Sequence, residues 1–220
     1  MLPLRDVIPS RTTPYVTIAL IVCNVLVFLL LPRAGSAAFA DLIGVWGVTP
    51  AAFELRSVAT AMFLHAGVVH LLSNMLFLWI FGDNIEDRLG HGRYLLFYAL
   101  CGLAAALLQV LGEAGSPVPM VGGSGAVAGV LGAYIVLFPE SRVLTWVFTT
   151  FVEVPAALLL GIWFVVQLLS GLDALVVIRS EDMGSVGFWA LAGGFAAGAA
   201  LVLLLRRPER MRAEWWDVLT

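Results

Sequence analysis

Long apolar runs separated by short polar segments make up the hydrophobic pattern of this chain. Six of the runs approach the ~20 residues that a helix needs to cross a bilayer. They are Tyr15–Leu31, Ala66–Phe81, Tyr94–Leu111, Met120–Phe138, Pro155–Leu169 and Val186–Leu205. The second run is short by itself, unless its helix begins before His65 or its start is buried among other helices. The pattern predicts an all-α, polytopic membrane protein with six transmembrane helices.

Composition supports this prediction, since 61% of the 220 residues are hydrophobic and only 12% are charged. A soluble domain is nearer half apolar and a quarter charged, and a chain of this size cannot bury so much apolar surface in water. We predict a single membrane domain over residues 1–220, with short tails at about 1–13 and 206–220. The apolar segment Val143–Val154 contains Glu153 and is followed by Pro155, so we predict a bent or interfacial lead-in to the fifth span.

All basic residues are arginines, and they are distributed unevenly about the six predicted spans. Nine lie on the side that holds both termini, and three lie on the other side. Because Arg-rich loops stay in the cytoplasm, we predict that both termini are cytoplasmic. The first loop, about Pro32–Ala59, and the loop around Pro117–Pro119 then face outward. We expect an integral protein of a bacterial or archaeal cell membrane, surrounded by the lipid bilayer.

This topology brings chemically distinctive positions to one depth near the outer surface. His70 and Asn74 lie near the outer start of the second span, Ser124 near that of the fourth, and Leu191 near that of the sixth. Polar residues inside spans are costly and usually face the bundle interior. His70 and Asn74, four residues apart, share one helix face and could donate hydrogen bonds to an oxyanion. The alternative is a hydrogen-bonded pair that only joins helices.

Ser124 lies within the glycine-rich segment Gly122-Gly123-Ser124-Gly125, at the head of an apolar helix. Flanking glycines allow close backbone approach, and a helix start supplies free N–H groups that favour a negative oxygen. Both features suit a nucleophile, although the alternative is that Ser124 is an N-cap. Gly125, together with the later glycines and alanines of this span, predicts a central helix that packs tightly against the second and sixth spans through this small-residue face.

The remaining motifs are interpreted as structural. The segment Asp83–Gly90 is predicted to form the turn after the second span, and His91 is predicted to be a solvated residue of the same turn. Cys23 and Cys101 lie inside apolar runs and are interpreted as small buried residues. The scattered His and Cys residues form no metal-binding pattern, and nothing indicates a cofactor or a nucleic acid.

The order and spacing of these pieces resemble the rhomboid family of intramembrane serine proteases, over essentially the whole chain. The matching segments are Phe63–Met75 for the second-helix signature, Phe81–Gly90 for the stretch after it, Gly122–Gly125 for the G-x-S-G motif, Pro155–Gln167 for the fifth helix and Gly193–Gly198 for the sixth. The resemblance implies a Ser–His dyad that cuts transmembrane proteins, with Ser124 as the nucleophile. It also implies that His70 and Asn74 stabilise the oxyanion and that His65 is structural, bracing the first loop.

The chain departs from the family pattern where the general base belongs. The sixth-helix motif of the family carries His where this chain has Leu191, and no later His follows His91. Four residues after Ser124, the family usually has an aromatic residue that packs on that His, and here it is Ala128. The Trp-Arg pair that is common in the family's first loop is also missing, because Trp46 is followed by glycine.

Leucine cannot accept a proton, and a serine without a base is a poor nucleophile. We therefore interpret the chain as a catalytically impaired rhomboid pseudoprotease that binds transmembrane clients. The alternative is an active intramembrane serine endopeptidase in which Ser124 uses a non-standard base. A small transporter or channel is a weaker hypothesis, because the sequence shows no inverted repeat and no ladder of charged residues within the spans.

Overall fold

A computed structural model describes residues 2–33, 35–176 and 187–206. The helices are α1 (Tyr15–Leu30), α2 (Ala37–Trp46), α3 (Leu55–Ala61), α4 (Val68–Leu89), α5 (His91–Gly112), α6 (Ser124–Leu137), α7 (Ala156–Val176) and α8 (Phe188–Leu205). The strands are β1 (Leu2–Asp6), β2 (Arg142–Val147) and β3 (Thr150–Pro155), and a 3-10 turn lies at Pro50–Ala52. The six predicted spans correspond to α1, α4, α5, α6, α7 and α8, which confirms the predicted helical membrane bundle.

The spanning helices differ in length. Among the described residues, α4, α5 and α8 are long and apolar enough to cross a membrane, whereas α1, α6 and the Ala156–Gln167 stretch of α7 are apolar but shorter. The 14 residues of α6 rise about 21 Å, which is less than the ~30 Å of a hydrocarbon core. At least one end of α6 therefore lies below the bilayer surface, among other helices. Cys101 is buried as predicted, but Cys23 is exposed on α1.

The alternating direction of the helices divides the bundle into two ends. We call the end where α6 and α8 begin the serine end, and the end where α4 finishes the sheet end. The long first loop, with α2 and α3, lies at the serine end, where Val48 pairs with Met120 just before α6. The three strands lie at the sheet end, since β1 and β2–β3 flank the starts of α1 and α7 along the chain.

The sheet was not predicted. Its strand order is β1-β2-β3 and both pairings are antiparallel. The predicted N-terminal tail thus contributes strand β1, and the predicted lead-in Val143–Val154 is a hairpin. Val143 and Val154 are cross-strand partners that pack into the main core, a pairing that the periodicity of one segment cannot reveal. The predicted C-terminal tail beyond residue 206 lies outside the described residues.

The predicted turn at Asp83–Gly90 is wrong, because α4 continues through it to Leu89. The second span gains its length at this end, since α4 begins only at Val68, after His65. His91 is exposed, as predicted, but it is not a loop residue, because it begins α5 directly after the glycine that ends α4. The polar residues of this segment occupy a helix face that other elements cover.

Glu86 is the central residue of that face and is fully buried. Its carboxylate accepts hydrogen bonds from the backbone N–H of Val16 (2.9 Å) and Thr17 (2.8 Å), in the first turn of α1. These N–H groups have no partner within their own helix, and a negative group is favoured at a helix start. The His91 ring adds a contact of 2.5 Å to the same carboxylate. Glu86 therefore joins the starts of α1 and α5 to α4.

Helix α6 is the centre of the bundle and is buried along its first three turns. Its glycine face contacts α8, as predicted: a Cβ atom on Gly194 would lie 1.8 Å from the Gly125 oxygen, and one on Gly198 would lie 1.9 Å from the Gly129 oxygen. The helix also contacts α4, as predicted, but not through this face, since a Cβ on Gly129 would meet Cys101 Sγ of α5 at 2.5 Å. The backbones of α6 and α8 thus touch with no side chain between them.

Candidate active site at the serine end

Ser124 is the first residue of α6, and the preceding Gly123 occupies the cap position. Since no side chain caps this helix, the N-cap interpretation of Ser124 is wrong. The chain enters α6 through Gly122, which has a φ of +123° and donates its N–H to the Ala61 oxygen at 2.8 Å. That φ favours glycine. Ser124 is therefore held among the free N–H groups of the first helical turn.

His70 and Ser124 both lie next to Gly122. A Cβ atom on Gly122 would lie 2.8 Å from His70 Nε2 and 3.7 Å from Ser124 Oγ. Glycine thus leaves room for the imidazole close to the hydroxyl, and any larger residue would collide with the His70 ring. The sequence predicted that the second and fourth spans bring these two residues together, and the structure does so.

Asn74 pairs with the segment that precedes its own helix. Its Nδ2 atom lies 3.1 Å from His65 Nε2, and both side chains are buried. The His65 ring stands edge-on to the His70 ring, with centroids 5.0 Å apart. The described contacts of Asn74 therefore do not join two spans, which was the alternative interpretation. Instead, His65 holds both predicted oxyanion-stabilising residues in place.

Leu191 lies in the turn of α8 that packs on the start of α6, and 2% of its surface is exposed. A Cβ on Gly125, next to Ser124, would be 3.3 Å from the oxygen of Ala190. Ala128, one helical turn after Ser124, is also fully buried. The position that was predicted, from the resemblance, to correspond to the base therefore lies close to the start of α6, where it carries an aliphatic side chain in a closed environment.

Gln109 is a residue of this end that the sequence analysis missed. It is buried in α5, and its Oε1 accepts a hydrogen bond of 3.1 Å from the backbone N–H of Ala190. The N–H groups of a helix start need such partners, so Gln109 fixes the first turn of α8 and with it Leu191. The signal in the sequence was an uncharged polar residue deep in an otherwise apolar span.

The first loop closes the serine end over the site. Val48 and Met120 exchange two backbone hydrogen bonds of 2.8 and 2.9 Å. Gly47 lies so close to this bridge that a Cβ would be 2.5 Å from the Ile43 oxygen and 3.1 Å from Pro119, which explains glycine after Trp46. A narrow, mainly apolar cavity below the bridge reaches Ser124 and is lined by Met62, Gly102, Ala105, Met120, Gly122 and Ala190.

The arrangement combines a hydroxyl at a helix start with imidazole and amide groups beside it. Helix N–H groups and a nearby His can stabilise a developing negative oxygen. A serine nucleophile also needs a base within hydrogen-bond reach, and no hydrogen bond from Ser124 Oγ to an imidazole is present in the described part of the chain. The site therefore holds the groups that would stabilise an oxyanion, without a visible partner to remove the proton of the serine.

Comparison of the sequence with known proteins gives matches in one family. A family model described as the rhomboid domain matches residues 52–208. The chain is 32% identical over 196 residues to the rhomboid protease GluP of Bacillus subtilis, covering 86% of this chain and 35% of that protein. It is 35% identical over 160 residues to RHOMBOID-like protein 1 of Arabidopsis thaliana, covering 71% and 36%. The match to the mitochondrial rhomboid protein 1 of Saccharomyces cerevisiae is 34% over 96 residues, covering 42% and 28%.

Proposed function

The chain belongs to the rhomboid family, and on this premise we propose that it is a catalytically impaired member that binds transmembrane proteins without cutting them. One observation carries the proposal: the buried side chain that α8 presents at the depth of Ser124 is Leu191. Loss of one member of a serine catalytic unit typically lowers the rate by several orders of magnitude. The fold around the missing base is retained, as expected for a protein that still uses this scaffold to bind its partners.

The outer face of α7 supports a binding role. Leu158, Ile162 and Val165 are each about half exposed and form an apolar stripe at helical spacing. The rings of Trp163 and Phe77, 5.5 Å apart, link this helix to α4. We propose that a client helix packs from the lipid against this region. The proposed surroundings are a bacterial or archaeal cell membrane with both chain termini in the cytoplasm.

A second candidate function is an active intramembrane serine endopeptidase in which His70 serves as the base. It is favoured by the position of both His70 and Ser124 next to Gly122. It is also favoured by the name of GluP, which is called a protease. In this case His70 would have to leave its predicted oxyanion-stabilising role, and the N–H groups at the start of α6 would take that role alone.

The two candidates are separated by an assay of the purified chain in liposomes with a single-span reporter protein. We expect binding of the reporter, measured by energy transfer between labels, without cleavage by the unmodified chain. Restoring a base with Leu191→His should give weak cleavage, and Leu191→His with Ala128→Tyr should give more than either change alone, because these residues act as a unit. Ala128 is fully buried, so the melting temperature of each variant is measured alongside.

The control is Ser124→Ala, both in the unmodified chain and in the double variant. Cleavage by the unmodified chain that Ser124→Ala abolishes would overturn the pseudoprotease proposal, and its further loss in His70→Gln would support the second candidate. A chain that neither binds nor cuts the reporter would contradict both. A folded double variant without activity would mean that the site differs from a working protease at more than these two positions.

Orientation is tested separately with a cysteine at Ser116, in a chain whose exposed Cys23 is replaced by Ala. We expect a membrane-impermeant maleimide added outside intact cells to label Ser116→Cys. The matched variant Glu140→Cys, at the opposite end of the bundle, should react only after the cells are opened. The reverse pattern would overturn the proposed topology.

A further inference from the structure

The hairpin β2–β3 carries an exposed apolar tip. No charged residue occurs between Val143 and Val152. The side chains of Phe148, Phe151 and Trp146 are 93%, 66% and 47% exposed. Trp146 and Phe151 are cross-strand partners, so both rings lie on one face of the sheet. Exposed aromatic pairs of this kind are not expected on a surface that faces water on all sides.

The turn itself is built around an unfavourable residue. Two residues, Phe148 and Thr149, connect the strands, and Phe148 has a φ of +53°. Two-residue hairpin turns strongly prefer Gly, Asn or Asp where φ is positive, and a bulky residue there is unusual. Strained backbone positions cluster at functional sites, so a large apolar side chain at this position indicates that the side chain has a function.

Neither face of the tip carries a charge, although the second face includes Thr145 and Thr150. Opposite the Trp146–Phe151 face, Val152 is 44% exposed, although Val143 and Val154 on the same face are buried under the bundle. The ribbon therefore extends beyond the protein core for its distal half. A flat protein partner would cover one face, whereas lipid can cover both. The two ends of the hairpin also connect along the chain to the membrane helices α6 and α7, and β3 continues directly into α7 at Ala156.

We propose that the tip of this hairpin, Trp146–Val152, inserts into the lipid interface at the sheet end and anchors the bundle there. Six strand residues span about 20 Å, so the tip stays within reach of the bilayer surface from which α7 begins. Trp and other aromatic residues are favoured at this level of a membrane. The bilayer itself is the partner of this surface.

The open edge of β3 limits the depth of insertion. In the strand order β1-β2-β3, β3 has a neighbour on one side only, so its outward N–H and C=O groups need water or lipid headgroups. Such groups cannot enter the hydrocarbon core without a large cost. The hairpin therefore lies in the headgroup and upper acyl region, with the aromatic rings directed into lipid and the open edge still hydrated.

The test uses the full chain with Cys23→Ala, reconstituted in phosphatidylcholine–phosphatidylglycerol liposomes. A Thr149→Cys variant carries an environment-sensitive fluorophore at the turn and leaves all three aromatic residues in place. We expect blue-shifted emission, quenching by nitroxide-labelled lipid and protection from aqueous iodide. The matched control is Glu140→Cys, also exposed at the sheet end, which should be quenched by iodide and not by lipid.

The aromatic contribution is tested by adding Phe148→Asn and Phe151→Asn to the Thr149→Cys chain. Asn suits the positive φ of the turn, so the hairpin should remain folded, and an unchanged melting temperature in detergent verifies this. We expect lipid quenching to be lost and iodide quenching to rise to the level of Glu140→Cys. Iodide quenching already at that level in the parent, or lipid quenching that survives both changes, would overturn the proposal. Protection from both quenchers with crosslinking between copies would instead assign the tip to a chain–chain contact.

Discussion

The two ends of the helix bundle are held together by different physical means. At the sheet end, charged and hydroxyl side chains join elements that are distant in sequence, as Glu86 joins α4 to α1 and α5. At the serine end, glycines bring helix backbones into direct contact, and Gln109 provides a side-chain bond to the start of α8. The polar side chains named at the sheet end thus join structural elements, whereas the serine end keeps the Ser124 hydroxyl beside a cavity and the His70 imidazole close to it.

A second network at the sheet end strengthens the contrast. The Asp6 carboxylate of β1 accepts hydrogen bonds of 2.7 Å from both Asn84 Nδ2 and the Tyr134 hydroxyl. Asp87 accepts the backbone N–H of Thr12 at 3.0 Å. The sheet end thereby fixes the N-terminal segment against α4 and α6. The serine end therefore depends on close packing for its geometry, and the sheet end depends on hydrogen bonds.

The largest effect is expected from filling the α6–α8 contact. In Gly194→Ala, the new Cβ would lie 1.8 Å from the Gly125 oxygen, and a backbone atom cannot move aside as a side chain can. We expect destabilisation beyond the ~1–3 kcal/mol usual for overpacking, measured by thermal unfolding in detergent. The control is Gly161→Ala on α7, where nothing lies within 4 Å. Equal melting temperatures for the two variants would contradict the backbone contact.

The next largest effect should come from Glu86→Ala at the sheet end. It leaves the part-buried N–H of Val16 and the buried N–H of Thr17 without an acceptor, and a buried group without a partner costs about 1–3 kcal/mol. We expect a loss of roughly 3 kcal/mol in unfolding free energy. The exposed Glu140→Ala serves as the control, with a change within about 0.5 kcal/mol. A Glu86→Ala protein as stable as this control would show that the joint between α1 and α4 is dispensable.

A smaller effect is expected from Gln109→Leu, which removes the acceptor for the Ala190 N–H and replaces the amide by an apolar side chain of similar size. Loss of a helix-capping bond costs about 1 kcal/mol. We expect faster hydrogen exchange confined to the first turn of α8, with the rest of the bundle unaffected. Uniform acceleration throughout the bundle would mean that Gln109 supports the whole fold rather than this turn.

The smallest effect concerns pH at the sheet end. Burial, opposed in part by the Tyr134 hydrogen bond and reinforced by the charge of Asp83, raises the pKa of Asp6 from 3.8 to about 6. A raised pKa means that the folded chain holds the proton more tightly, so this contribution to stability is complete below pH 4 and is lost as the pH rises to about 6. Because the carboxyl is partly open to water, we expect about 1 kcal/mol or less.

The pH dependence is measured as unfolding free energy between pH 4 and pH 7, a range that brackets the pKa of Asp6 in the folded chain. Asp6→Asn should flatten the part of the curve that belongs to this residue, since the amide cannot ionise. An unaltered slope in Asp6→Asn would assign the pH dependence to other carboxylates.

The sequence predicted the bundle well because the signals are local. A run of apolar residues specifies a membrane helix by itself, and α1, α5 and α8 begin or end within a few residues of their predicted limits. Ser124, His70 and Leu191 were predicted at one depth from topology alone. The errors at Asp83–Gly90 and at His91 arise because the deciding contacts are not local. Polar residues predict a loop when the partners that they bond in the folded chain are unknown.

By itself, the sequence determined the apolar spans, the presence of a serine at a helix start and the absence of a histidine after His91. Only the tertiary structure decided that β1 pairs with the hairpin, that Glu86 is buried and that α5 rather than α4 meets the glycine face. The physical reason is that hydrophobicity and helix geometry act on neighbouring residues. Strand pairing, buried hydrogen bonds and backbone contacts instead join residues far apart in the chain, and their energies exist only once the bundle has formed.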